Sequence, residues 1–184
     1  MIVKRVLRLS AWLWPLLVVG CSFPGLPWRE PALAKDFQAL CLKSHLRQGV
    51  FRSLAAQTPG MGKPSYAPGP PYPLEVRAHH VDGRGLLVTF ITLSRPNASG
   101  DALGACLLDD VDDQGATVKW LARWTGADIR GTGLLKYYLV VGPGRPQLIP
   151  KDGATPRPKA PAGGEVYTLR ILSMYGDTNL DLIP

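Results

Sequence analysis

The chain reads as an α+β protein: a single domain in which a largely antiparallel sheet of about five strands carries two helical segments on one face. Three observations predict this. Apolar residues recur at helical spacing in two stretches, from Lys35 onward and from about Gln114 to Trp124. Five runs with strand character lie at 74–81, 86–93, 105–108, 134–141 and 166–174. The resulting order is α, β, β, β, α, β, β, without the alternating helices of a parallel sheet and without an internal repeat.

Ahead of the domain, residues 1–20 have the layout of an export signal. Lys4, Arg5 and Arg8 form a basic start, Leu9 to Val19 an apolar stretch, and Gly20 precedes Cys21. Crossing a bilayer takes roughly 20 apolar residues, and Pro15 and Pro24 interrupt the window, so a cleaved signal is expected rather than a permanent anchor. Val18-Val19-Gly20-Cys21 resembles a lipobox, in which the Cys21 thiol receives diacylglycerol and becomes the new N-terminus. The rival site is Ala32-Leu33-Ala34, a small-x-small pattern read by ordinary signal peptidase, which would leave a soluble periplasmic or secreted protein starting at Lys35. On the lipobox reading, residues 21–34 are a tether containing Pro24, Pro27 and Pro31, and 35–184 form the domain.

Within the domain, Phe37, Leu40, Cys41 and Ser44, then Val50, Phe51, Leu54 and Ala55, lie on one helical face, with Gly49 as a bend or break. Residues 58–73 are dense in proline and glycine and are expected to be a surface loop. The strand at 74–81 alternates, that at 86–93 is rich in β-branched and aromatic residues, and the two flank Asp82-Gly83, a hairpin turn able to take positive φ. After the third strand, Asp112 or Asp113 is expected to cap the second helix, whose apolar side is Val118, Leu121 and Ala122, and Gly126 to end it. The last two strands are joined by the Pro/Gly-rich, basic segment 142–164, whose composition argues mobility.

Charge and cysteine use restrict the classes of function. The formal charge of +7 falls to +4 once Lys4, Arg5 and Arg8 are removed, and the remaining cations are dispersed. A dense basic patch interleaved with aromatics is absent, so nucleic-acid binding is not expected. Cys41 and Cys106 are the two cysteines beyond Cys21. In an oxidising compartment they are expected to form a disulfide; the alternative is two buried thiols.

Several groups invite chemistry. Asp110, Asp112, Gln114 and Gly115 follow part of a calcium-loop pattern, but Leu121 stands where the bidentate glutamate is needed, which favours helix capping. His79 and His80 are adjacent in a strand and point to opposite faces, so they do not easily serve one metal ion, with or without His45. Cys41 and His45 share a helical face, yet Cys41 lies in an apolar stripe unsuited to a reactive thiolate. Neither a Gly-x-Ser-x-Gly elbow, a Ser-x-x-Lys motif nor a phosphate-binding loop occurs, and Gly142-Pro143-Gly144 leads into loop rather than helix. No catalytic residue, metal or cofactor is assigned. His79, His80 and Asp109 are the candidates for a polar site.

Phe37-Gln38-Ala39-Leu40-Cys41 on a first helix, and Gly104-Ala105-Cys106-Leu107-Leu108 followed by a helix such as Val118 to Trp124, resemble segments of uncharacterised exported proteins of proteobacteria. The resemblance covers roughly residues 36–126. It implies an envelope location and a paired Cys41 and Cys106, and brings no catalytic residue with it. The sequence therefore points to a lipid-anchored envelope protein, a non-catalytic binding or scaffold module for an envelope protein or polymer. The alternative is a periplasmic hydrolase or transferase built from residues such as His79, His80 and Asp109.

Overall fold

The computed structural model describes residues 30–63, 65–67, 75–79, 87–94, 101–110, 115–174 and 177–184. Its class is the expected one, an antiparallel sheet with helices on one face. The order in the sheet is β1(Ser65–Ala67), β2(Glu75–His79), β3(Leu87–Thr92), β4(Gly104–Asp110), β8(Asp177–Ile183), β7(Glu165–Met174), β5(Gly133–Val141), β6(Gln147–Pro150), and every pair is antiparallel. All five expected strands are present. Three further strands, β1, β6 and β8, were not expected. β1 falls inside the 58–73 segment expected to lack regular structure, and β6 inside the 142–164 connection expected to be mobile. Both are edge strands, where half the backbone groups need no ladder partner and Pro150 can end a strand without breaking a ladder. β8 alternates buried Thr178, Leu180 and Leu182 with Asp177, Asn179 and Asp181.

The first helical region begins earlier and divides elsewhere than expected. α1(Ala32–Asp36) continues as a π-helical segment, Phe37–Leu42, followed by a turn and then α2(Gln48–Gln57). Leu33 and Ala34, in the stretch expected to be tether, are fully buried. The break falls not at Gly49 but at His45 and Leu46, both in the left-handed region at φ 51° and 53°. Such a conformation costs a non-glycine residue about 1–3 kcal/mol and persists only when its surroundings fix it. Here Leu46 is fully buried, its carbonyl accepts from Gly104 N (3.0 Å), and Gln48 N donates to Ala102 O (2.9 Å). Gly49 lies inside α2, its N–H donating to Asp101 Oδ1 at 2.9 Å, so a carboxylate 52 residues away supplies the cap that Arg47 lacks. α3(Ala116–Thr125) starts two residues late, on Gly115 at φ 72° with no side-chain cap; Asp112 and Asp113 lie outside the described residues. Gly126 ends it as expected, at φ 76° with its N–H on Ala122 O.

The core lies between the helices and one sheet face. Leu33, Phe37, Leu40, Phe51, Trp120 and Leu121 meet Val88, Phe90, Cys106, Leu108, Leu139, Leu169, Ile171, Leu180 and Leu182. Phe51 stacks on Phe90 at 5.0 Å, and Phe37 meets Trp120 and Trp124 edge-on at 6.3 and 6.4 Å. Gly104 makes room for this packing, since a Cβ there would lie 2.4 Å from both Ile91 O and the Phe90 ring. Cys41 and Cys106 form a disulfide with Cα atoms 5.5 Å apart, locking the π-helical segment onto β4 across 65 residues of sequence. Closing a loop of that length contributes about 4 kcal/mol on the chain-entropy account. Replacing both cysteines with alanine should lower unfolding free energy by about that amount in a urea titration while far-UV dichroism stays unchanged. A loss under about 1 kcal/mol would mean the helices hold their place without the bond.

Candidate functional site

Strand alternation places alternate side chains on the sheet face opposite the helices. Leu134, Leu172, Asn179, Asp109 and Leu87 stand in one row across five strands, and His79 is the backbone partner of Leu87 on the next. The neighbouring row holds Lys136, Arg170, Asp181, Leu107 and Thr89, with an Arg170–Asp181 ion pair at 2.6 Å. Alternation also places Leu93, Leu103 and Met174 on this face. Five large apolar residues are exposed among those described, and four of them belong here: Leu93 (56 %), Leu103 (45 %), Leu134 (53 %) and Met174 (45 %). No described helix covers this surface.

The residues expected to form a polar site are not gathered into a described cavity. His79 and Asp109 lie two strands apart, a separation of about 10 Å, with Leu87 between them. His80 and the lipidation candidate Cys21 lie outside the described residues. Asp109 is partly buried, and burial first, then the charge of Asp181, raises its pKa above the ordinary carboxylate value. The disulfide removes Cys41 as a thiol partner for His45.

Another polar cluster forms instead. The left-handed turn carries His45 to the start of β7, where its Nδ1 lies 2.8 Å from Glu165 Oε2, and the Tyr167 hydroxyl donates to the same oxygen. Burial opposes ionisation of Glu165. The hydrogen bonds from Tyr167 and His45 and the charges of His45 and Arg47 outweigh it, so its pKa falls below the usual value. Burial and the Glu165 carboxylate push the Tyr167 phenol up. His45, Val141, Gly142, Gly163, Gly164 and Glu165 line a shallow cavity of about 330 Å³. A carboxylate-held imidazole can orient as a general base. Yet nearby Ser44 is buried, its hydroxyl bonded to Cys41 O, so no described nucleophile joins the pair. No local pattern in the sequence marks this contact, since 120 residues separate its partners.

The second cavity, about 360 Å³, lies on the outer side of the β5–β6 hairpin. Segment 151–164 forms one wall, lying as a strap against the hairpin. Asp152 Oδ1 accepts from the Ala154 and Thr155 amides, and Lys151 Nζ lies 3.2 Å from Thr168 Oγ1. Arg157 Nη2 reaches Val166 O at 2.6 Å, and Pro161 packs against Gly142. Comparison with protein-family models, curated proteins and solved structures finds no match to this chain.

The pKa directions set opposite pH responses. Glu165, lowered on folding, contributes stability above its unfolded pKa, near 4.5, that is lost as pH falls through its lower folded value. Asp109 has a raised folded pKa, so ionisation costs stability at neutral pH, and the cost disappears as pH falls through that value toward 3.8. Glu165→Gln should therefore destabilise at pH 7 and flatten the acid limb. Asp109→Asn should be neutral or stabilising at pH 7. Urea melts of both variants between pH 3 and 7 check the signs; destabilisation by Asp109→Asn at pH 7 would mean the carboxylate has a stabilising partner.

Proposed function

We propose that this chain is an exported cell-envelope protein, lipid-anchored at Cys21 and facing the periplasm, that acts as a non-catalytic binding module. The observation that carries the location is the Cys41–Cys106 disulfide, since such bonds persist in oxidising compartments and are rare in the cytosol. Cleavage after Ala34 would take Leu33 and Ala34 out of the core, which favours processing upstream, at Cys21. The outer sheet face supports the binding role and fits a protein partner. Its exposed apolar side chains lie in two patches, Leu134 with Met174 at one corner and Leu93 with Leu103 at the opposite end of β3 and β4, and Asp109 and Asp181 between them make the face a poor match for hydrocarbon. The sheet edges offer less, because β1 has three residues and β6 has four and ends on Pro150. The alternative, hydrolase chemistry, draws on one observation, the His45–Glu165 pair beside a cavity.

Expressed in a Gram-negative host, the protein should fractionate with membranes and carry diacylglycerol on Cys21, and Cys21→Ser should abolish both. Mass spectrometry that finds an unlipidated N-terminus at Lys35 would sink the anchor and the upstream cut together. Site-specific photocrosslinkers at Leu134 and Leu93 should trap a discrete protein adduct in cells, whereas one at exposed Val50 on α2 should not. His45→Gln should leave that adduct unchanged; a lost cellular phenotype with intact crosslinking would shift the assignment to catalysis.

A further inference from the structure

The cavity under the strap has a composition of its own. Val140, Ile149, Pro143, Pro158 and Pro161 give it apolar walls, and Arg145, Lys159 and Gln147 are the polar side chains that line it. No acidic residue does. Its volume, about 360 Å³, falls in the range of small-molecule sites, which join apolar walls to a few convergent polar groups. Arg145 is held in place: its Nε donates to Trp124 O at 3.1 Å and its Nη2 to Arg123 O, so the guanidinium caps α3. Those two bonds leave Nη1, which lies beside Gly126, without a described hydrogen-bond partner, on a cation positioned by the helix end. Lys159 is exposed and makes no ion pair among the described residues. At Gly144 a Cβ would meet open space, and its φ is not in the left-handed region, so a side chain can be introduced there without strain.

We infer that this cavity binds a carboxylate joined to a small apolar body, the carboxylate facing Arg145 and Lys159 and the body lying against Val140, Ile149 and the prolines. The inference rests on the reading of the chain as a binding module and adds a ligand class on a surface separate from the partner-binding row of Leu134 and Leu172. A peptide C-terminus and a fatty acid both present this chemistry.

The test is a titration of the purified full chain, followed through the backbone amides of Gly142, Gly144 and Gln147 by NMR. The probes are N-acetyl-alanyl-alanine and hexanoate, each paired with its neutral primary amide. At least one carboxylate should give saturable shifts at these amides, and its amide should bind roughly tenfold more weakly, the worth of one charge-assisted hydrogen bond. Tighter binding of the dipeptide assigns the source as a peptide C-terminus, and tighter binding of hexanoate assigns a fatty acid. Lys159→Glu and Gly144→Leu should each weaken binding while distant amides stay in place. No shift with either carboxylate, equal binding of acid and amide, or unchanged binding by Lys159→Glu would overturn the proposal. Membrane fractionation and the Leu134 crosslink do not depend on this cavity, so its failure leaves the binding-module reading standing, and failure of that reading shows in those measurements.

Discussion

The Cys41–Cys106 bond fixes the relation on which the rest of the molecule depends, that of the first helical segment to the middle of the sheet. β4 is where the two halves meet: β1 to β4 form a meander, β5 to β8 form the other half with β5 between β6 and β7, and β4 pairs with β8 across the join. Anchoring the π-helical segment at Cys106 therefore places a helical cover directly over the seam. Phe37 and Leu40 pack beside the bond, and Phe37 carries the contact on to Trp120 and Trp124 of α3. Covalent closure and aromatic packing commit all the described helices to one face and leave the other with apolar side chains on view.

The same anchoring explains the strained turn. Once Cys41 is held on β4 and the Leu46 carbonyl on Gly104, four residues remain to reverse the chain into α2. Two consecutive left-handed residues achieve that reversal. The cost is offset by burial of Leu46 and by the His45–Glu165–Tyr167 hydrogen bonds, which pin the turn to the start of β7. On this account the cluster is first a clamp between the helical layer and the β5–β8 half of the sheet. A functional role for it would be additional, and the buried Ser44 hydroxyl and oxidised Cys41 leave it without a described nucleophile.

What the sequence made legible follows from range. Five of the strands, the Gly126 stop and the cysteine pairing were readable because each rests on local periodicity, a single conformational requirement or the presence of just two cysteines beyond Cys21. What it concealed depends on tertiary partners. Asp101 caps α2 from 52 residues away, and Glu165 meets His45 from 120, so neither leaves a mark in its own neighbourhood. β1 and β6 were hidden by proline and glycine, which report that a segment cannot be a central strand but say little against an edge. Of the polar site expected from His79, His80 and Asp109, the register of β2, β3 and β4 separates His79 from Asp109, and His80 lies outside the described residues.

Segment 142–164 shows how a stretch rich in proline and glycine can be seated against a hairpin. Its prolines lower the entropy lost on ordering, because φ is fixed before folding. Its polar groups then find backbone partners, as Arg157 does on Val166 O and Arg145 on the carbonyls ending α3. The glycines permit close approach: a Cβ at Gly164 would fall 2.4 Å from Val141 O, and one at Gly142 2.8 Å from Pro161. A segment rich in both residues is therefore able to lie flat against a hairpin. That close seating holds Arg145 and Lys159 beside an apolar hollow, and it is why the hairpin end, instead of the histidine-bearing strand, holds the described cavity with the strongest mark of ligand chemistry.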